Sequence, residues 1–143
     1  MLNSKGSAEW KGGLKDGQGL LSASSGVLAD VPYSFATRFE AAGGTNPEEL
    51  IATAHAACFS MALSAQLEGA GHKPESVRTT ATTTLEKTDA GFTVTKIALD
   101  TVARVPGISE HDFLQTAEAA KATCPISRLL SAATIEMTAK LEG

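Results

Sequence analysis

Basic residues are sparse in this 143-residue chain: 12 Lys and Arg stand against 16 Asp and Glu, scattered rather than clustered, for a formal net charge of -4. Such a chain carries no electrostatic footprint for nucleic acid or for an anionic membrane, and neither partner is expected. Met1 to Ser7 contain no apolar run of the kind a signal peptide needs, so a reducing cytoplasm is the expected compartment. Internal repeats, linkers and low-complexity tracts are missing too, and the length suits one domain able to bury roughly 70% of its unfolded surface. Cysteine is scarce, with Cys58 and Cys124 the only two. In a reducing compartment such a pair reads as inert thiols, metal ligands or a redox couple rather than as a permanent structural disulfide.

What the chain does have is a strong helix signal around its first cysteine. Asn46 is a good N-cap, Pro47 fits the first helical position, and Glu49 three residues after the cap completes a capping-box pattern. From Leu50 to Ala65 nearly every position is apolar or small, so the helix over 47–70 has no wet face and should be enclosed by the rest of the fold or by a partner subunit. A membrane span needs about 20 strongly apolar residues. Thr53, His55, Ser60 and Ser64 among the alanines favour a soluble core helix instead.

Glycines divide residues 1–40 into short segments, Ser7 to Lys11, Gly19 to Ser24 and Tyr33 to Phe39, which read as a β-meander. The central helix fades at Gly69-Ala70-Gly71 before Pro74. Residues 77–105 are rich in threonine and β-branched side chains and fold back around Asp89-Ala90-Gly91 as a hairpin. After Pro106-Gly107, Ser109 caps a helical region over 109–131, with Asp112 at the capping-box position and Phe113, Leu114, Ala117 and Ala120 as its buried stripe. Alternation over 133–141 marks a final strand. The class is α+β, in a single domain spanning 1–143.

Chemistry concentrates at the two cysteines. Cys124 precedes Pro125, which pushes it out of the helical region and places it where one helix ends and a short one begins, and backbone N–H groups there favour a thiolate. Burial raises the pKa of a thiol, so a nucleophilic Cys58 needs a nearby permanent cation, and Arg38 is the leading candidate. In an extended Tyr33–Phe39 segment Arg38 would lie opposite Phe35, Thr37 and Phe39. Glu49 needs no role beyond its cap, yet it is also the candidate carboxylate to orient Arg38. Glu49 and Cys58 are nine positions apart, about 13 Å along the helix and roughly 180° around it. A Glu49 that meets Cys58 through Arg38 is therefore expected to come from the second subunit of a dimer. His55, one turn before Cys58, reads as packing or support; with the two cysteines it gives three ligands, too few for a zinc site, and no metal or cofactor is expected. His72 and His111 read as solvated, and Trp10 as a core anchor. Taken residue by residue, a packing cysteine and a surface arginine remain open readings.

At these residues the chain resembles the OsmC/Ohr family of thiol peroxidases over essentially its whole length. Arg38-Phe39-Glu40, Gly44 to Leu50, Ala54 to Leu63, Val105-Pro106-Gly107 and Cys124 to Ser127 are similar to the OsmC branch, whereas the Ohr branch has a tyrosine where His55 stands. The resemblance implies an OsmC-like fold, with antiparallel sheets wrapped around two central helices in an intertwined homodimer and active sites at the subunit interface. It implies that Cys58 is the peroxidatic thiol and Cys124 the resolving thiol, that the two join in a disulfide, and that Arg38 and Glu49 complete the site. It also implies organic hydroperoxides as substrates, a dithiol such as a lipoylated protein as reductant, and a role in oxidative and osmotic stress defence. A site enclosed by Leu50, Phe59, Met61 and residues of the partner subunit should favour organic hydroperoxides over hydrogen peroxide, because an apolar substituent gains burial there. A non-enzymatic binder of small apolar ligands and a redox sensor are the alternatives, with a metal-binding role the weakest.

Overall fold

Tight glycine-bearing turns fold the first forty residues back on themselves. In the computed structural model, which describes residues 1–143, β1 (Gly6–Lys11), β2 (Gln18–Ala23) and β3 (Val31–Tyr33) form an antiparallel sheet in that order. Gly19 pairs with Trp10 on one side and Tyr33 on the other, and the two rings meet over it with centroids 5.4 Å apart. Any Cβ at Gly19 would run into both rings, so only glycine fits there. Trp10 Nε1 also donates to the Gly13 carbonyl at 3.1 Å, which fixes the β1–β2 turn.

The segment expected to be extended through Phe39 is not. β3 stops at Tyr33 and a short helix, α1 (Phe35–Phe39), follows. A reciprocal cap explains it: the Ser34 N–H donates to Thr37 Oγ1 at 2.9 Å and the Thr37 N–H donates to Ser34 Oγ at 3.3 Å. Arg38 is thus presented from a helical turn rather than from a strand face. These elements belong to the first of two compact units, Met1–Leu50 and Ile51–Gly143.

The second unit is a sheet covered by helices. β4 (Ser76–Thr88) and β5 (Gly91–Arg104) form a long antiparallel hairpin with a register shift at Thr84/Leu85, and β6 (Thr134–Glu142) adds parallel to β5. A parallel return needs a crossover, which α3 (Glu110–Thr123) and α4 (Pro125–Leu129) supply. The core joins Ile97, Leu99 and Ala103 of β5 to Phe113, Ala117 and Ala120 of α3 and to a ladder from α2 (Pro47–Gly69), namely Phe59, Leu63 and Leu67. Leu114, expected in the α3 stripe, is 41% exposed, since it lies about 100° around the helix from Phe113.

The central helix also departs from expectation on one face. Its buried positions recur every four residues at His55, Phe59, Leu63 and Leu67, while Ala54, Ala57, Met61 and Ala65 are exposed, Met61 at 75%. The chain by itself leaves this apolar stripe uncovered. By length and composition α2 could cross a membrane, but its ladder is committed to the core just described.

Candidate active site

Cys124 sits at the end of α3 and the start of α4. Its N–H donates to the Ala120 carbonyl at 2.9 Å, its own carbonyl accepts from the Arg128 N–H at 3.0 Å, and its ψ of 126° is the non-helical value a residue before proline adopts. The side chain is fully buried. Cys58, on α2, packs against the same core cluster but keeps part of its surface open. Both thiols are free, and their sulfurs are hydrogen-bonded at 3.0 Å. A disulfide bond is roughly 2.05 Å long, so about 1 Å of approach would join them.

The two thiols differ in acidity. Burial pushes the Cys58 thiol up, and the hydrogen bond with Cys124 pushes it the same way, outweighing the Ile126 N–H. Burial acts upward on Cys124 too, but hydrogen bonds from the Cys58 thiol, from the Ser127 N–H and hydroxyl and from the Ile126 N–H outweigh it and bring the thiol below its ordinary value. Within the pair, charge therefore goes to Cys124 first. A Cys58 thiolate needs further positive charge.

The first unit holds a guanidinium fixed on a carboxylate. Arg38 Nε donates to both Glu48 oxygens at 3.2 Å and Nη2 donates to Oε1 at 2.7 Å, a two-pronged grip on a carboxylate that is itself nearly buried. The guanidinium lies over the Phe39 ring at 5.3 Å. Asn46 Nδ2 donates to the Thr37 carbonyl at 3.1 Å, tying α1 to the start of α2 and holding the pair in register. Even so, 37% of the Arg38 side chain stays exposed, leaving room for an anion.

The carboxylate on Arg38 is thus Glu48, where the sequence pointed to Glu49. Glu49 keeps the capping duty: its N–H donates to Asn46 Oδ1 at 2.9 Å, and its carboxylate accepts from Thr45 Oγ1 at 2.9 Å. Adjacent helical residues point about 100° apart, so the side chain turned back to the cap cannot be the one that grips Arg38.

The family model described as OsmC-like protein matches residues 40–140. The chain belongs to the OsmC-like protein family. It is 54% identical over 131 residues to the peroxiredoxin OsmC of Escherichia coli, covering 92% of each chain, and equally to that of Shigella flexneri. Among solved structures, an OsmC-like protein from Mycoplasma pneumoniae superposes with a TM-score of 0.77 at 16% identity over 99% of both chains. The organic hydroperoxide resistance protein OhrB of Bacillus subtilis superposes at 0.69 and 23% identity, over 99% of this chain and 98% of that one. These two establish a shared fold.

Other sequence expectations for this OsmC-like protein shift in detail. Phe59, expected to wall the site, is fully buried in the core, whereas Met61 lies on the exposed stripe beside Cys58. His55, Cys58 and Cys124 do not form a cluster of metal-ligating groups. His72 is half-buried and His111 exposed. The residue that sequence reasoning missed is Ser127: its hydroxyl lies 2.7 Å from His55 Nε2, and both side chains are buried. The only signal was its place three residues after Cys124, one turn along α4.

Burial holds the His55 imidazole below its ordinary value of 6.5. As pH falls through that value the unfolded chain takes up the proton first, so folding stability declines on acidification and no penalty remains above it. The melting temperature is expected to fall more steeply between about pH 7.5 and 5 in the wild type than in His55→Gln. Parallel curves would show that His55 carries none of the acid sensitivity.

Proposed function

We propose that this protein is a thiol-dependent peroxidase that reduces organic hydroperoxides to alcohols, with hydrogen peroxide as a poorer substrate. The observation that carries the reading is the pair of free sulfurs 3.0 Å apart, one open to a substrate and one buried behind it. The 54% identity to peroxiredoxin OsmC supports the same chemistry. Exposure supports this division of roles. A peroxide reaches Cys58, while Cys124, although the more acidic thiol, is sealed from solvent.

Cys58 thiolate attacks the terminal peroxide oxygen; the O–O bond breaks, the alkoxide takes a proton and leaves as alcohol, and Cys58 becomes a sulfenic acid. Cys124 then attacks the Cys58 sulfur, the S–S bond forms, and the sulfenic oxygen leaves as water. An external dithiol, such as a lipoylated protein, reopens the bridge by attack on the accessible Cys58 sulfur. Cys124 departs readily because the lower-pKa thiol is the better leaving group.

The Arg38–Glu48 pair supplies the charge that the buried Cys58 lacks, with Arg38 touching the thiolate and the peroxide and Glu48 orienting it. The pair meets Cys58 in a homodimer, the partner supplying the arginine: Glu48 and Cys58 are ten helical residues apart, about 15 Å. The uncovered stripe of Ala54, Ala57, Met61 and Ala65 is the surface for that second copy, and the whole chain acts as one OsmC-like domain within it. Two free thiols suit a reducing cytoplasm and a role in oxidative and osmotic stress defence.

One equivalent of cumene hydroperoxide added to reduced protein without added thiol tests the reading by intact mass. The wild type should lose two hydrogens and Cys124→Ser should gain one oxygen; no change in either supports a non-enzymatic binder instead. Ala54 and Met61 lie within a turn of Cys58, so an apolar substituent gains burial and cumene hydroperoxide should react at least about tenfold faster than hydrogen peroxide. Equal second-order rates would count against an apolar site.

A further inference from the structure

The resolving step has a proton problem that the two cysteines cannot solve alone. Cys124 attacks as a thiolate, yet its sulfur is fully buried and cannot hand its proton directly to bulk water. What faces it instead is Ser127, whose N–H and hydroxyl both favour the ionised sulfur. The Ser127 hydroxyl in turn lies 2.7 Å from His55 Nε2. Ser127 is 3% exposed and His55 fully buried, so hydrogen bonds run from the partly open Cys58 through Cys124 and Ser127 to a buried His55. His55 Nδ1 is buried with no hydrogen-bond partner. Such an orphan is costly and uncommon, and beside the Cys124 thiol it asks for an explanation beyond packing. With Nδ1 carrying the hydrogen, Nε2 presents its lone pair to Ser127.

We propose that Ser127 and His55 form a proton relay serving Cys124 in disulfide formation: the Ser127 hydroxyl takes the Cys124 thiol proton while passing its own to His55 Nε2. The inference rests on the two-cysteine peroxidase reading above. The Cys124 thiolate then attacks the Cys58 sulfur, the S–S bond forms and the S–O bond breaks with its electron pair on oxygen. The hydroxide leaves on the side of Cys58 away from Cys124 and takes a proton from solvent at that open face, while the proton on His55 returns through Ser127 to the Cys124 thiolate when the external dithiol reopens the bridge. The balance closes over the cycle: sulfenic acid plus thiol gives disulfide plus water, the one proton drawn from solvent is returned by the reducing dithiol, and the imidazole is neutral again once Cys124 is reprotonated. Burial keeps the imidazole neutral near neutral pH, so Nε2 has a free lone pair to offer Ser127, and it disfavours the protonated ring, which readily gives the proton back. Ser127 touches the reacting sulfur; His55 acts through it.

Single-turnover kinetics separates the relay from the chemistry it serves. Reduced protein is mixed with one equivalent of cumene hydroperoxide; peroxide loss reports Cys58 oxidation, and quenched intact mass with dimedone trapping reports the sulfenic acid and its conversion to disulfide. In Ser127→Ala and His55→Gln the first phase should stay within about threefold of wild type, while disulfide formation slows about a hundredfold and dimedone captures the accumulated sulfenic acid. In unmodified protein, where folding of a variant is not in question, disulfide formation should slow about twofold or more in heavy water, because a proton is in flight. Resolution within threefold of wild type in both variants, loss of both phases together, or no solvent isotope effect in the wild type overturns the relay. A wild type that consumes no peroxide overturns the peroxidase reading and the relay with it; normal oxidation with an unresponsive second phase sinks the relay alone.

Discussion

Cys58→Ser is expected to lower hydroperoxide reduction by about a thousandfold or more, because the hydroxyl is a far weaker nucleophile at neutral pH and the one other thiol, Cys124, is buried. Cys124→Ser should behave differently: its first turnover stays within about threefold of wild type and only the closing of the disulfide is lost. The contrast follows from exposure rather than acidity. Cys124 holds charge more readily, yet it lies fully buried while Cys58 keeps an open surface. Peroxide consumption in the presence of a dithiol, followed for both variants, is the measurement. A Cys58→Ser protein keeping a tenth of wild-type activity would move the nucleophile elsewhere.

Arg38→Met should cost about a hundredfold in the second-order rate with hydroperoxide, the scale on which removing one well-placed charged donor acts on developing negative charge. Under the role proposed for Arg38 the loss has two sources. Burial raises Cys58, so without the guanidinium the thiolate fraction falls, and the peroxide loses the group that polarises it. Glu48→Gln should follow in the same direction at about tenfold, since a neutral amide holds Arg38 less firmly than the two-pronged carboxylate does. Glu49→Gln should leave the rate within about threefold and lower only the melting temperature, because its work is at the cap. Equal rate losses at Glu48 and Glu49, or a larger one at Glu49, would return the orienting role to Glu49. Rates measured against pH add a second readout, as Arg38→Met should move the rising, acidic limb to higher pH along with the Cys58 thiol.

Glu48 and Glu49 differ in direction: one grips Arg38 and the other serves the cap. Both stand in the first turn of α2, and the capping-box pattern correctly identified what Glu49 does, but a cap pattern says nothing about where its neighbour points. The neighbour's partner depends on α1, a helix hidden by the alternating look of Tyr33 to Phe39 and revealed only by the reciprocal bonds of Ser34 and Thr37. Leu114 fails for a related reason: an apolar residue next to a buried one was counted into a stripe that its angle excludes. Ser127 was invisible because a serine on a short helix has many ordinary reasons to be there.

The sequence by itself determined the start of α2 at Pro47, the placing of Cys124 between α3 and α4, the hairpin around Gly91 and the α+β class, because caps, proline sterics and side-chain periodicity act over a few residues and are written in the local order of the chain. Only the tertiary structure decided that Cys58 meets Cys124 across 66 residues, that His55 meets Ser127 across 72, and that Glu48 holds Arg38. Those contacts depend on the rotation of α2 about its axis and on where the crossover from β5 to β6 sets down α4. Both are fixed by packing of the core as a whole, and no short stretch of sequence encodes them.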